Sequence, residues 1–343
     1  MKGSAVHDAL LLRARLYAAI RAFFAARGVL EVETPMLSAA ASTEPNIESF
    51  ATRFSGHIDA GARERWLRTS PEFPLKRLLA AGIGDCYELG RVFRDGEIGR
   101  RHNPEFTLLE WYRVGFDHRK LAAETVALVQ GALALVGRCA AVIERSYAAL
   151  FVESLGLDPH RADLADLRAP LADIAIDPAG LTRDDWLDLL LTHRIQPTFP
   201  ADHITVIHDY PASQCALARI RAGDPPLAER FELYLGAQEL ANGYHELNDA
   251  AEQRALRARQ RAPPCARAAR AAARRAPAGG ARRAARLRWR RAGHRTPADG
   301  DARQRGHRRR AGFPLRSGLN ALSQSIRRGQ SVSFLKHKKP AFS

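Results

Sequence analysis

The stretch FRDGEIGRRHNPEFTLLEWYR, Phe93–Arg113, decides how this chain is read. It joins two strand-like runs, CYELGRVFRD before it and FTLLEWYRV at its end, through a charged connection that is long for a hairpin. Arg94 ends the first run, and Arg100, Arg101, His102 and Asn103 crowd the connection. A fixed guanidinium beside a loop of donors is a way to hold a phosphate. Taken alone, the pattern fits a solvated hairpin tip better, since it has neither metal-ligand spacing nor a P-loop.

Two neighbouring segments add carboxylates. Upstream, TSPEFPLKRLL (Thr69–Leu79) enters a helix through proline and puts Glu72 in its first turn. An acid is favoured there by the helix dipole, and it could also receive a substrate ammonium. Downstream, QELANGYHEL carries Glu239 and Glu246. They share a face only if Asn242–Gly243 turns their strands side by side. Carboxylates with no neighbouring lysine to neutralise them would suit Mg²⁺ and nucleotide phosphates; otherwise they are surface glutamates. His208 in VIHDYPASQ reads as a satisfied core or edge residue rather than a ligand, and no Ser-His-Asp or Cys-His arrangement emerges.

The rest of the chain predicts the frame. A helix over Asp8–Arg27, capped by Asp8 and closed by Gly28, buries Leu12, Leu16, Ile20, Phe23 and Phe24. VLEVETP (Val29–Pro35) alternates as a strand, and Ser38–Asn46 is a loop. Helices are expected over Pro71–Gly84, Leu121–Val136 and Arg183–Thr192. A strand is expected over His203–Pro211, and two strands around a glycine turn over Arg230–Leu247. Strands mostly follow strands, which predicts an α+β domain: an antiparallel sheet flanked by helices.

Charge divides the chain sharply. The net +16 combines an acidic body with a segment from Arg254 onward holding 26 Lys/Arg and 2 Asp/Glu. RRAPAGGARRAARLRWRRAGHR (Arg274–Arg295) has nine arginines in 22 residues and no acid. Residues 254–343 lack periodicity and aliphatic content, and such composition predicts disorder. Four scattered cysteines without a CxxC pair argue against structural zinc and for a reducing, cytoplasmic setting. No apolar run approaches the ~20 residues of a membrane span, so no membrane partner is expected.

Together, GVLEVETPML, FRDGEIGRRHNPEFTLLEWYR and ELANGYHEL resemble, in this order, the catalytic domain of class II aminoacyl-tRNA synthetases of the lysyl branch. GVLEVETPML looks like motif 1, with Pro35 its marker, which implies a homodimer interface. The Phe93–Arg113 stretch looks like motif 2. With TSPEFPLKRLL and YPASQCALA added, the chain is most similar to the lysyl-tRNA synthetase paralogues that modify translation elongation factor P. The resemblance implies that ATP activates lysine or (R)-β-lysine as an aminoacyl-adenylate, and that the acyl group passes to a lysine side chain of elongation factor P. It implies that Arg94 grips the α-phosphate, with Asp95 and Gly96 beside the nucleotide, and that Asn103 and Phe106 hold adenine. Glu239 and Glu246 would serve Mg²⁺, with the Leu240 backbone near the nucleotide. Ser70, Pro71, Glu72, Tyr112, Asn242 and Glu246 would bind the amino acid. Motif 1 begins within the first 30 residues, so no anticodon-binding domain is expected ahead of it.

Two departures follow. The family's RNE in motif 2 is Arg94-Asp95-Gly96, with Glu97 next. Motif 3, whose arginine binds the γ-phosphate, is missing where residues 8–253 give way to 254–343. With suitable third bases, Arg290–Asp301 read one base later spells VALGIERLLMA, a motif 3. The basic segment is therefore expected to be a frameshift product, and the chain to be impaired in adenylate formation. A truncated lysyl-tRNA synthetase and a non-catalytic RNA-binding derivative are the alternatives.

Overall fold

The computed structural model describes residues 2–42, 47–57, 61, 63–99 and 102–247. Arg100, Arg101 and the basic segment 254–343, with its expected disorder, lie outside the described residues.

Helix α1 spans Lys2–Ala25 and buries Leu12, Leu16, Ile20 and Phe24, the i, i+4 stripe expected of an amphipathic helix. Asp8 is not its N-cap, as the sequence suggested. The helix starts six residues earlier because nothing between Lys2 and Asp8 breaks it. Gly28 closes it in the left-handed region, φ +66°. Strand β1 is only Leu30–Glu31, but the ladder continues where the Val32 amide donates to the Tyr87 carbonyl at 2.9 Å. β2 (Leu37–Ser38), β3 (Ala51–Arg53) and β4 (Glu64–Leu67) form a small sheet in the order β2-β4-β3, which leads into α2 (Glu72–Ala80).

Motif 2 folds as the sequence predicts. β5 (Cys86–Phe93) and β6 (Glu105–Tyr112) pair antiparallel without a break, from Cys86 opposite Tyr112 to Phe93 opposite Glu105. β1 lies parallel on the other side of β5. α3 (His118–Ala134) follows, N-capped by Asp117, whose carboxylate accepts the Lys120 amide.

A second sheet orders β11-β10-β8-β7, formed by β7 (Ala141–Ser146), β8 (His203–Pro211), β10 (Leu227–Leu235) and β11 (Gln238–Tyr244). β9 (Ile220–Arg221) also pairs with β10. β7 runs parallel to β8, and the crossover carries α4 (Tyr147–Leu155), α5 (Leu164–Arg168) and α6 (Arg183–Leu190). The antiparallel expectation therefore holds for the main ladders, while β1–β5 and β7–β8 are parallel. One face of this sheet (Val206, Phe231, Leu233, Ala241) packs on α1 and α3 with Leu109 and Trp111 of β6. The other face (Ile207, Ala228, Tyr234) lies under α4 and α6 with Phe151, Trp186 and Leu190.

The β10–β11 connection turns at Gly236, φ +54°, not at Asn242–Gly243. Asn242 and Gly243 lie inside β11, opposite Glu232 and Phe231. A bulge sets Tyr234 opposite Glu239 but Leu233 opposite Ala241, leaving Leu240 as the extra residue. Residues directly opposite share a face, so Glu239 and Asn242 face the same side although they are three apart.

Candidate active site

The site grows from the loop Thr69–Pro71, between β4 and α2. An ion pair between buried groups holds the base of this loop: Arg68 Nη2 lies 2.5 Å from Glu88 Oε1. Arg68 also donates to Thr34 Oγ1 at 2.7 Å, and the Thr34 hydroxyl donates to Glu88 Oε2 at 2.6 Å. A β-carbon at Gly90 would stand 2.5 Å from Arg68 Nη2 and 2.8 Å from Glu88 Oε1, so a larger residue there would force the pair to shift. The motif 1 segment is thereby clamped onto β5, one residue before the loop begins.

Next along the chain, the Ser70 hydroxyl donates to Glu110 Oε2 at 2.6 Å and accepts from the Glu72 amide at 3.0 Å. Tyr112 donates to Glu110 Oε1 at 3.1 Å. Pro71, buried, stands at the N-cap of α2 and turns Glu72 inward. Lys76, one turn later, places its Nζ 2.8 Å from Glu72 Oε1 and 2.8 Å from Glu246 Oε2. The structure thus brings Ser70, Glu72, Tyr112 and Glu246 together around Glu110 and Lys76. Burial, reinforced by the Glu72 charge, pushes the Glu110 carboxyl up to about 7, although Ser70, Tyr112 and Lys76 oppose this. Burial likewise pushes Glu246 up to about 7 against the pull of Lys76. Burial and the Glu110 charge hold the Tyr112 phenol well above its usual range. At Lys76 burial disfavours the ammonium, yet Glu72 and Glu246 outweigh it and the group is held more basic than usual.

A second cluster abuts the first through Thr69. Arg94 is buried, donates through Nε to the Thr69 carbonyl at 3.3 Å, and lies over the Phe106 ring at 5.0 Å. Its amide donates to the Pro104 carbonyl at 2.8 Å, which sets half-buried Asn103 beside it. Asp95 and Gly96 are exposed, and the Asp95 carboxylate accepts the Gly96 amide at 2.8 Å. The buried acid here is Glu97, whose Oε1 is 4.0 Å from Arg94 Nη1 and has no hydrogen-bond donor among the described residues.

The third cluster is the polar face of β10–β11. Arg230 pairs with Glu232 at 2.5 Å, and Tyr234 donates to the same carboxylate. Asn242 is 6% exposed, yet neither amide atom finds a hydrogen-bond partner among the described residues. A buried amide left so is rare and costly, and it points to a ligand. Glu239 shares its face, while the Leu240 side chain is in the core, so only its backbone can face a nucleotide.

The idea that Glu239 and Glu246 share a metal is corrected in its premise. No turn sets them side by side, and Glu246 has a lysine neighbour, Lys76. Among the described residues no group of three or more His, Cys, Asp or Glu is arranged to hold a metal. Sequence reading assigns no role to Glu110, Lys76, Arg68 or Glu88. Alternation in FTLLEWYR puts Glu110 and Tyr112 on one face and could have found the first. His208 is satisfied, as expected, within β8, which is paired with β10 on one side and β7 on the other, and its Nδ1 is 3.1 Å from Asp209 Oδ2. No helix among the described residues is long and apolar enough to cross a membrane.

Comparison with known proteins identifies the family. A family model described as class II tRNA synthetases (D, K and N) matches residues 1–268. A protein of Vibrio cholerae serotype O1 named elongation factor P–(R)-β-lysine ligase is 46% identical over 246 residues, covering 71% of this chain and 75% of its own. One of the same name from Vibrio vulnificus is 43% identical over 255 residues, covering 74% and 78%. The chain belongs to the class II tRNA synthetase family (D, K and N), whose members are ATP-dependent ligases.

Proposed function

We propose that residues 8–253 are the body of an ATP-dependent ligase that activates lysine or (R)-β-lysine and transfers it to a lysine side chain of elongation factor P. The observation that carries this reading is the junction at Thr69. An acidic pocket made by Ser70, Glu72, Glu110, Tyr112 and Glu246 meets the buried guanidinium of Arg94 there. A carboxylate of the amino acid attacks the α-phosphorus of ATP, and pyrophosphate leaves. The ε-amine of the acceptor lysine then attacks the acyl carbon, an amide bond forms, and AMP leaves as the amine sheds its proton. Nothing here needs a protein nucleophile, so positioning and charge do the work.

In this reading Glu72, Glu110 and Glu246 receive the ammonium groups, and Ser70 with Tyr112 fixes Glu110. Arg94 steadies negative charge on the α-phosphate, and Phe106 with Asn103 lines the adenine side. The unsatisfied amide of Asn242 and the carboxylate of Glu239 on the same face fit a polar ligand and a hard cation. Mg²⁺, when bound, would offset phosphate charge, with Glu239 its ligand; Glu246 belongs to the amino-acid side. Assembly as a homodimer through motif 1 and a cytoplasmic location belong to the same proposal.

We further propose that 254–343 is an out-of-frame product that replaces motif 3. The two Vibrio proteins match 71% and 74% of this chain, leaving about a quarter of it unmatched, although the family model runs on to 268. β6 and β11 are the outer strands of their sheets among the described residues, yet they pack into one core through Leu109, Trp111, Leu240 and Ala241. That arrangement supports a lost strand between them. Lysine-dependent exchange of pyrophosphate into ATP tests both points. The unchanged chain is expected to exchange at under about 1% of the rate of a gene restored to frame by one base. Normal exchange by the unchanged chain overturns the impairment. Absence of lysine-dependent exchange from the restored protein overturns the ligase reading.

A further inference from the structure

Lys76 stands where a substrate ammonium would be held. Its Nζ is 2.8 Å from Glu72 Oε1, 2.8 Å from Glu246 Oε2 and 5.9 Å from the centre of the Tyr244 ring. Two carboxylates and an aromatic wall around one ammonium make a cation site, and the protein's own chain fills it. The Glu72 contact is local, an i, i+4 pair on α2. The Glu246 contact is not, because that residue follows β11 and lies 170 positions away. Nor is this a surface pair: the Lys76, Glu72 and Glu246 side chains are 22%, 9% and 24% exposed. Glu110, held by Ser70 and Tyr112, turns a third carboxyl toward the same charges. Three carboxyl groups around one resident ammonium leave room for further positive charge.

Resting on the amino-acid pocket proposed above, we infer that Lys76 is a resident stand-in for the substrate ammonium, and that a lysine-type substrate enters by exchanging its own ammonium for that of Lys76 at Glu246. One charge-assisted contact replaces another in this exchange, so little is lost at Glu246. Lys76 keeps Glu72 within reach through the helix spacing while its flexible stem swings aside. In the free protein Lys76 keeps Glu72 and Glu246 from repelling α2 away from the end of β11. An amino acid with no second ammonium has nothing to offer Glu246 and leaves Lys76 in place. Lys76 is thus a specificity-determining residue that works through competition.

Isothermal titration of the full chain with L-lysine tests this, with norleucine as the isostere lacking the ε-ammonium. Lys76→Met is expected to bind L-lysine about tenfold more tightly than the unchanged chain, because the ligand no longer has to displace a resident group. Norleucine is expected to give no heat with the unchanged chain. Equal or weaker L-lysine binding by Lys76→Met overturns the stand-in role and leaves the amino-acid pocket standing. Absence of L-lysine binding by both proteins overturns the inference and the pocket together. A second measurement needs no variant: acetylation of the unchanged chain with N-hydroxysulfosuccinimide acetate, followed at Lys76 by mass spectrometry. Saturating L-lysine is expected to raise the Lys76 rate about threefold or more, as the freed amine leaves its carboxylates. A rate that falls or stays constant overturns the exchange.

Discussion

The Ser70 hydroxyl donates to Glu110 Oε2 at 2.6 Å, joining the loop before α2 to the middle of β6. Glu110 has a Tyr112 hydrogen bond on its other oxygen and the Glu72 carboxylate nearby. Its folded value, about 7, lies above the ordinary 4.5. For an acid this sign means that ionisation costs the native state more than the unfolded chain. The penalty is absent below about 4.5, grows as the pH rises toward about 7, and is constant above it. Glu110→Gln removes the charge and still offers one acceptor and one donor. Its melting temperature is expected to match the unchanged chain near pH 5 and to exceed it by about 2–4 °C near pH 8. Calorimetric melts across that range check this, and a variant less stable at high pH would contradict it.

Amine binding should show the opposite trend with pH. Glu246 also titrates at about 7, and only its ionised form attracts an ammonium. The affinity for L-lysine is therefore expected to rise as the pH passes from about 6 to about 8 and then level off. Glu246→Gln is expected to weaken binding about tenfold or more near pH 8 and to flatten the profile. Titration calorimetry at several pH values reads both effects.

The Arg68–Glu88 pair stands behind the site rather than in it. Gly90→Ala inserts a methyl group 2.5 Å from Arg68 Nη2 and forces the pair to shift, with its full separation the upper bound of the effect. A broken pair between buried charges costs about 3–5 kcal/mol. Urea unfolding is expected to show a loss of up to about that size, and ligand binding should weaken as the Thr69–Glu72 loop loses its anchor.

Asn242 should show stability and function pulling apart. Its buried amide has no hydrogen-bond partner among the described residues, so the free protein bears its desolvation cost. Asn242→Leu, close in volume, is expected to stabilise the free protein by about 1–2 kcal/mol and to abolish ligand binding. Thermal melts with and without ligand separate the two outcomes.

Arg94→Ala in the frame-restored protein is expected to slow lysine-dependent pyrophosphate exchange about 10²–10³-fold, the usual cost of losing a donor to developing charge. A change of less than about tenfold would remove Arg94 from the reaction.

Much of this was legible in the residues themselves. Alternation in CYELGRVF and FTLLEWYR is strong enough to place β5 and β6, and Pro71 with Glu72 marks where α2 begins. The helix stripe of Leu12, Leu16, Ile20 and Phe24 is equally plain, though its start is not, because helix-tolerant residues precede Asp8. Gly243 misled as a turn signal. In β11 it is small because a β-carbon there would lie 2.5 Å from the Phe231 ring, which is a matter of packing.

While β2, β3, β4, β7, α4 and α5 went unread, local pattern therefore determined α1, α2, α3, α6, β1, the β5–β6 pair, β8, the family motifs and the sharp change of charge at Arg254. These depend on near neighbours in the chain, where periodicity and backbone preference act. Tertiary structure alone decided that Glu246 meets Lys76, that Ser70 holds Glu110, and that Arg68 pairs with Glu88. Each joins elements far apart in sequence, and the charge state of such groups depends on burial and on neighbours that no spacing along the chain reveals. A bulge of one residue at Leu240 turned Glu239 to the face of Asn242, and such a slip is set by how two strands meet.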